Sequence, residues 1–218
     1  MEIEISPLIL SLKISFTAIL IVFVLGIIIA RLTLDIKGRW RWIADVIFTL
    51  PLVLPPTVIG FVLLVICGKN SWLGSLLGKL NINIIFTPTA AVLAAVVVSF
   101  PLMYRATKGA FEQVDEEIIW AARTLGLSEF KIFIKILIPE AFPGIMSGLI
   151  LAFARALGEF GATLMVAGNI PKVTQTIPLA IYFATSNGKI ELAAFWTVII
   201  TVISCVMLSL MNRYNRRN

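Results

Sequence analysis

The residues best able to do chemistry in this sequence are two charges inside an apolar stretch, Arg155 and Glu159. They are four residues apart, so they share one face of a helix. Because an unpaired charge in hydrocarbon costs at least about 2.5–3.5 kcal/mol, we expect both to point into the protein, paired with each other or with a second copy of the chain. Two roles fit: a charge pair at a gate or in an anion path, or an ion pair that only fixes helix packing.

A proline cluster is the second feature, since Pro51, Pro55 and Pro56 lie in an uncharged run over 46–67. Each proline removes a backbone donor, and broken helices at mid-membrane often line a substrate route. A simple kink satisfied by neighbouring helices is the alternative, and we expect Pro101 to kink the third run in the same way. Hydroxyls could donate hydrogen bonds to a passing solute, although Ser and Thr also bond helix backbones. The pathway or gate candidates are Pro55, Pro56, Thr57, Ser99, Arg155, Glu159 and Thr163.

The chain offers no residues for the common kinds of enzyme site. It has no histidine, and its two cysteines, Cys67 and Cys205, match no metal or redox spacing. It contains no G-x-x-x-x-G-K-[ST] phosphate loop, so it cannot hydrolyse ATP by the usual phosphate-loop route. We therefore expect no catalytic, metal or cofactor site here, and any pumping needs energy from another subunit.

The composition predicts an all-α membrane protein. Hydrophobic residues make up 59% of the 218 residues and charged residues only 14%, against about 25% charged in soluble domains. Five runs approach the roughly 20 residues that a membrane-crossing helix needs. We predict one transmembrane domain over 1–218 that lies in the lipid bilayer, with spans at about 7–30, 46–67, 86–104, 141–169 and 191–212.

The basic residues predict the orientation. Twelve lysines and arginines fall in 31–41, in 105–135 and in the tail, whereas the loops on the other side hold four. The positive-inside rule therefore puts the N-terminus outside and the C-terminus in the cytoplasm of a multi-pass cell-membrane protein. Because topology explains the net charge of +6, we expect no nucleic-acid partner.

The longest inner connection, at about 105–139, has a pattern of its own. Acidic residues Asp115, Glu116 and Glu117 suit the first turn of a helix, and apolar residues then recur at helical spacing. Gly126 interrupts the pattern, and a second amphipathic stretch follows. We predict a helix, a glycine turn and a second helix that ends at Pro139.

This connection resembles the signature of ABC-importer permeases, Glu-Ala-Ala, three residues, Gly, nine residues, Ile-x-Leu-Pro. Here Ala121-Ala122 and Gly126 are followed at the same spacing by Ile136-Leu137-Ile138-Pro139, with Trp120 at the Glu position and Ile138 at the Leu position. The resemblance implies a coupling helix that docks on a cytoplasmic ATPase; an ordinary amphipathic surface helix is the alternative. The implied docking residues are Ala121, Ala122, Arg123, Thr124, Leu125, Gly126, Leu127 and Ser128.

Three further segments resemble molybdate-type permeases, which are related to sulfate and thiosulfate permeases: 50–60, 154–163 and the outer loop at 168–178. The resemblance implies a type I importer fold and import of molybdate, or tungstate, by a homodimer. It also implies an ABC ATPase dimer that binds ATP and Mg²⁺, and an extracytoplasmic oxyanion-binding protein. A sulfate or thiosulfate permease is the alternative within this class. The alternatives outside the class of ABC permeases are an ATPase-independent secondary transporter and a membrane scaffold.

Overall fold

The computed structural model describes residues 4–69, 71–80 and 83–215. All regular structure within these ranges is helical, as the composition predicts. A π-helical segment, Phe133–Leu137, joins two of the helices. The helices are α1 (Ser6–Leu34), α2 (Arg39–Val53), α3 (Pro56–Cys67), α4 (Trp72–Lys79), α5 (Pro88–Glu112), α6 (Glu116–Thr124), α7 (Glu129–Ile132), α8 (Ile138–Leu157), α9 (Gly161–Ala167), α10 (Ile177–Ser186) and α11 (Ile190–Asn215).

Four helices in the described ranges are long and apolar enough to cross a membrane: α1, α5, the continuous helix Glu129–Leu157, and Ile190–Ser209 of α11. The number of candidate spans is five if the bent pair α2–α3 counts as one span. On α1 the outward face carries large apolar side chains every four residues, which is the pattern of a lipid-facing stripe. These are Phe16, Leu20, Val24 and Ile28. The opposite face is buried and built mainly of small residues, including Ser11, Ser15, Ala18 and Gly26.

Helix α5 lies at the centre, packed against α1, α8, α2 and α9. Its buried face is made of small residues, which allow helix backbones to approach closely in lipid. Four alanines on this face are at most 1% exposed: Ala90, Ala91, Ala94 and Ala95. Helix α8 meets α5 through glycines, because a Cβ on Gly148 would lie 2.6 Å from the Cβ of Ala106.

The second apolar run is not one continuous helix, because its two helices, α2 and α3, are bent by 111°. Leu54 is extended, at φ −71° and ψ 140°, because a residue that precedes proline is pushed out of the helical region. Pro56 then occupies the first turn of α3, where its missing N–H would have had no partner in any case. Pro51 lies inside α2 without ending it. The proline cluster therefore turns the chain sharply. This turn is larger than the simple kink that was the alternative prediction.

The fourth apolar run is interrupted as well, since the helix ends at Leu157 and resumes as α9 at Gly161. The same helix begins earlier than the apolar run, at Glu129. Sequence alone placed one span over 141–169 because apolar residues continue on both sides of the break. The continuous helix that contains this candidate span is therefore Glu129–Leu157, and α9 is a separate short helix.

The prediction that Pro139 ends a helix is wrong. Phe133–Leu137 forms a π-helical turn, in which the N–H of Ile138 donates to the carbonyl of Phe133. The wider turn accommodates a residue that has no N–H and that would clash in a regular helix, so the chain continues into α8. Pro101 likewise lies inside α5 without interrupting it, and α5 continues to Glu112, eight residues past the predicted end of this span.

We expect Gly148→Ala to destabilise the bundle, since the added methyl group meets Ala106 and overpacking costs about 1–3 kcal/mol. The matched control is Gly109→Ala on α5, because no atom lies within 4 Å of the methyl position there. Thermal unfolding of the detergent-solubilised protein would measure both. Equal melting temperatures for the two variants would contradict the close contact between α8 and α5.

Candidate functional site

The two helix breaks meet each other inside the bundle. A Cβ on Gly161, the first residue of α9, would lie 3.1 Å from the Cβ of Pro56 and 3.4 Å from the backbone nitrogen of Thr57. A Cβ on Gly60 would lie 2.9 Å from the Cα of Ala162. The start of α9 therefore lies directly against the start of α3, with no room between them for larger side chains.

Arg155 and Glu159 pair with each other across the second break. The Nη1 of Arg155 donates to Oε2 of Glu159 at 2.7 Å, and the N–H of Ala162 donates to Oε1 at 2.8 Å. Glu159 is 3% exposed, whereas the Arg155 side chain is 29% exposed. Both carboxylate oxygens are thus engaged, one by the end of α8 and the other by the first turn of α9.

The three hydroxyl candidates differ in accessibility. Ser99 is fully buried, and its hydroxyl donates to the carbonyl of Ala95 at 2.6 Å. Thr163 is 2% exposed on α9, while Thr57 is exposed at the start of α3. Of these three, only Thr57 presents its side chain at the surface. Pro55 is exposed beside it, and Pro56 is half-buried.

The inner loop forms the predicted helix and glycine turn. Asp115 caps α6 by accepting the N–H of Glu117 at 2.9 Å. At the other end the N–H of Gly126 donates to Arg123, and the N–H of Leu127 donates to Ala122, which is a Schellman motif. Gly126 has φ +77°, a conformation that favours glycine over any side chain. The sharp turn therefore needs glycine at this position.

Large apolar side chains of this loop face outward from the chain. Trp120 is 60% exposed, Leu125 82% and Phe130 74%. Three such side chains close in sequence at a polar end of the bundle are typical of a surface that another protein covers. Trp120 and Phe130 lie outside the set that the resemblance implies, although their size and position in a polar loop are visible in the sequence.

The eight implied docking residues are not equivalent. Ala121, Thr124, Leu125, Gly126 and Ser128 are exposed, Leu127 is half-buried, and Ala122 is only 4% exposed because it packs inside the chain. Arg123 is exposed, but its guanidinium donates to Glu129 at 2.7 and 3.1 Å and lies 5.0 Å from the Trp120 ring. The hydrogen bond to Glu129 raises the pKa of Arg123, and the two hydrogen bonds join α6 to α7.

A polar cluster beneath this loop was not singled out by the sequence. Lys108 donates to both carboxylate oxygens of Asp45, at 2.5 and 2.6 Å, and the Tyr104 hydroxyl donates to Oδ1 of Asp45 at 2.5 Å. Lys108 had been counted as a loop charge, although α5 continues past it. The sequence feature that could have indicated this cluster is Asp45, an acidic residue directly before the second apolar run. In the described ranges, no group of three or more Cys, Asp or Glu side chains is arranged to hold a metal ion.

The two predicted basic connections lie at the same end of the bundle. Arg41, which follows the first connection into α2, pairs with Glu112 at the end of α5 at 2.5 Å. Arg31, at the end of α1, lies 3.9 Å from Glu129 at the start of α7. The segments at 31–41 and 105–139 therefore share one face, as the positive-inside argument requires.

Comparison with known proteins gives a consistent result. The family model described as "Binding-protein-dependent transport system inner membrane component" matches residues 22–218. The permease protein YvgM of Bacillus subtilis (strain 168) is 47% identical, over 93% of this chain and 90% of its own length. Molybdenum transport system permease protein ModB of Escherichia coli (strain K12) is 43% identical, over 95% and 91%.

Among solved structures, a bacterial alginate ABC transporter in complex with a periplasmic protein bound to an alginate pentasaccharide aligns with a TM-score of 0.78. The alignment covers 100% of this chain and 80% of that chain, at 14% identity. An identity this low supports a shared fold and nothing further, and the fold is that of an ABC importer permease. Taken with the family match over residues 22–218, the chain belongs to the family of binding-protein-dependent transport system inner membrane components.

Proposed function

We propose that this chain is the non-catalytic permease subunit of an ATP-driven ABC importer that carries molybdate, and tungstate with it, into the cytoplasm. The observation that carries the proposal is the 43% identity to the molybdenum transport permease ModB of Escherichia coli over 95% of the chain. Identity at that level, over nearly the full length of both chains, supports a shared role as well as a shared fold. The molybdate-type segments at 50–60 and 154–163 add to this support.

The importer needs partners for its other tasks. We infer that two copies of the chain form the pathway, that two cytoplasmic ATPase subunits bind ATP and Mg²⁺, and that an extracytoplasmic binding protein delivers the oxyanion. The family description names dependence on a binding protein. The alginate transporter with the same fold was solved with a periplasmic protein, which supports a partner of this kind.

The inner loop is the docking surface in this proposal. ATP binding draws the two ATPases together, the loop around Gly126 moves with them, and the spans turn from inward-open to outward-open. Hydrolysis reverses the movement and releases the anion inward, which is alternating access between two states. The exposure of Trp120, Leu125 and Phe130 supports docking, because large apolar and aromatic side chains dominate the binding energy of protein interfaces.

The pathway in this proposal passes the two helix breaks. Thr57 offers an exposed hydroxyl at the first break, and the partly exposed guanidinium of Arg155 supplies positive charge at the second. Glu159 orients Arg155 rather than meeting the anion, since both of its oxygens are engaged. Ser99 serves the helix backbone, because its hydroxyl bonds Ala95.

Labelling tests the orientation. In a variant without Cys67 and Cys205, we expect a cysteine introduced at Leu125 to react with a membrane-impermeant maleimide only after the cells are permeabilised. A cysteine at Lys172 should react in intact cells, because the outer loop faces away from the cytoplasm. Reaction of the Leu125 cysteine in intact cells would place the loop where no ATPase reaches it.

Substitution of Gly126 tests coupling. Gly126→Val forces a branched side chain into a positive-φ conformation, at a cost of about 1–3 kcal/mol, and re-aims Leu125. We expect the ATPase to be lost from the purified complex, or its transport-dependent activity to fall about tenfold or more. Gly188→Val is the matched control, since Gly188 has φ +72° and open space around it in the turn between α10 and α11. A scaffold would assemble normally with either variant.

The substrate is tested by transport competition in reconstituted vesicles that contain the complete complex. We expect ATP-dependent uptake of molybdate that tungstate inhibits and that excess sulfate leaves largely unchanged. If the vesicles take up sulfate and no molybdate, the protein is the sulfate-type permease that is the alternative within this class. Uptake without any ATPase would instead indicate a secondary transporter.

A further inference from the structure

Asp45 and Lys108 form a charged pair that the transport proposal does not use. The Lys108 side chain is 9% exposed and that of Asp45 37%. Tyr104 supplies a third contact by donating to Asp45, and its hydroxyl lies 3.2 Å from Oγ1 of Thr33. One cluster thereby joins three helices: Thr33 belongs to α1, Asp45 to α2, and Tyr104 and Lys108 to α5.

Apolar contacts strengthen the same junction. The Phe48 ring on α2 lies 5.3 Å from the Tyr104 ring and 5.9 Å from the Phe100 ring on α5, between centroids. A second ion pair, Arg41 with Glu112 at 2.5 Å, joins the start of α2 to the end of α5. Helix α2 is therefore attached to α5 along its length, from its first turn to Phe48.

The partner helix α5 leads directly to the inner loop. Lys108 and Glu112 lie in its last two turns, and α6 begins at Glu116, only four residues after Glu112. The cap at Asp115 fixes the entry to α6. A displacement of the loop around Gly126 therefore reaches the lysine of the cluster through a short connection and continuous helix.

The other end of α2 leads to the helix breaks. Helix α2 ends at Val53, and the sharp turn at Leu54 and Pro55 follows. Beyond the turn, α3 packs mainly on α9. Helix α2 is thus held by α5 on the loop side, while α3 is held by α9 on the other side of the turn.

We propose that Asp45 and Lys108 are positioning residues that transmit movement of the inner loop through α2 to the break at Pro55. The pair fixes α2 to the end of α5, so that the two helices move together and the turn before α3 receives the displacement. Without the pair, the ATPases still move the inner loop, but α2 follows incompletely and the pathway opens less often. This inference rests on the proposed function, because it requires an ATPase at the inner loop.

An ion pair with a buried lysine is a suitable device for this task. Replacing such a pair by neutral residues is often tolerated in stability, whereas removal of one partner leaves an uncompensated buried charge. A neutral double variant can therefore remove the electrostatic attachment and still fold. Single variants alone would confuse loss of coupling with loss of folding.

The experiment compares ATP hydrolysed per oxyanion transported in vesicles with the complete complex. The double variant Asp45→Asn with Lys108→Met removes both charges, and the exchange Asp45→Lys with Lys108→Asp restores a pair of opposite polarity. We expect the double variant to keep its ATPase activity and to use at least about fivefold more ATP per anion, and the exchange variant to recover most of the coupling. Glu4→Gln is the matched control, since it breaks an ion pair with Lys172 of 3.0 Å that lies far from α2 in the outer loop.

The outcomes separate the inference from the proposed function. The assay uses molybdate or sulfate, whichever the wild-type complex carries, so an error in the substrate leaves this test intact. An unchanged ratio of ATP to anion in the double variant would overturn the inference. A proportional fall of hydrolysis and uptake would overturn it too, because it indicates a structural role alone. A wild-type complex that carries neither anion with ATP would refute both proposals together.

Discussion

The requirement that every backbone group be satisfied in the membrane governs this structure. Hydrocarbon offers no hydrogen bonds, so an interrupted helix is tolerated only where protein or water meets the freed groups. Here two interruptions, after Leu54 and after Leu157, are placed where they meet each other. Glycines at 60 and 161 allow that approach, since any side chain there would collide with the facing helix. The region suited to a pathway follows from this constraint.

Charged side chains inside the bundle must also find partners, for the same reason as the backbone groups. Glu159 is almost completely buried and has a partner for each oxygen, and Lys108 is matched by Asp45. Lys108 and Asp45 join α5 to α2, and Glu159 joins the end of α8 to the first turn of α9. In hydrocarbon such charges are costly unless paired, so each pair also fixes the relative position of the helices that carry it. The protein thus places its charges at the points where helices meet.

Much of the architecture could be predicted from residue types alone. Hydropathy predicted the long helices α1, α5 and α11, although not the short helices α4 and α10. The proline cluster indicated either a break or a kink, because proline acts on the chain locally. The second break depends on a carboxylate that reaches the N–H of Ala162, a contact that hydropathy does not register. The prediction that a helix ends at Pro139 was wrong because a π-helical turn relieves the clash between the proline ring and the preceding turn. Lys108 was counted as a loop residue because α5 extends eight residues beyond its apolar run.

For the candidate sites, the sequence proposed residues, and the structure shows which of them are exposed and which are engaged by other groups. The spacing of Arg155 and Glu159 allowed pairing within the chain or with a second copy, and the structure shows the contact within the chain. The resemblance around Gly126 identified the loop but could not separate Ala122, which is buried, from Leu125, which is exposed. That distinction depends on packing between distant segments. Asp45 and Lys108 are 63 residues apart, so no local pattern connects them.

The length of α1 has a consequence for the surrounding lipid. With 29 residues it measures about 43 Å, whereas the hydrocarbon layer is about 30 Å thick. The helix must therefore tilt or project beyond the layer, and Arg31 near its end then reaches the headgroup region. In the proposed alternating-access cycle, any rocking of the bundle changes the tilt of this helix, so bilayer thickness would bias the balance between the two proposed states.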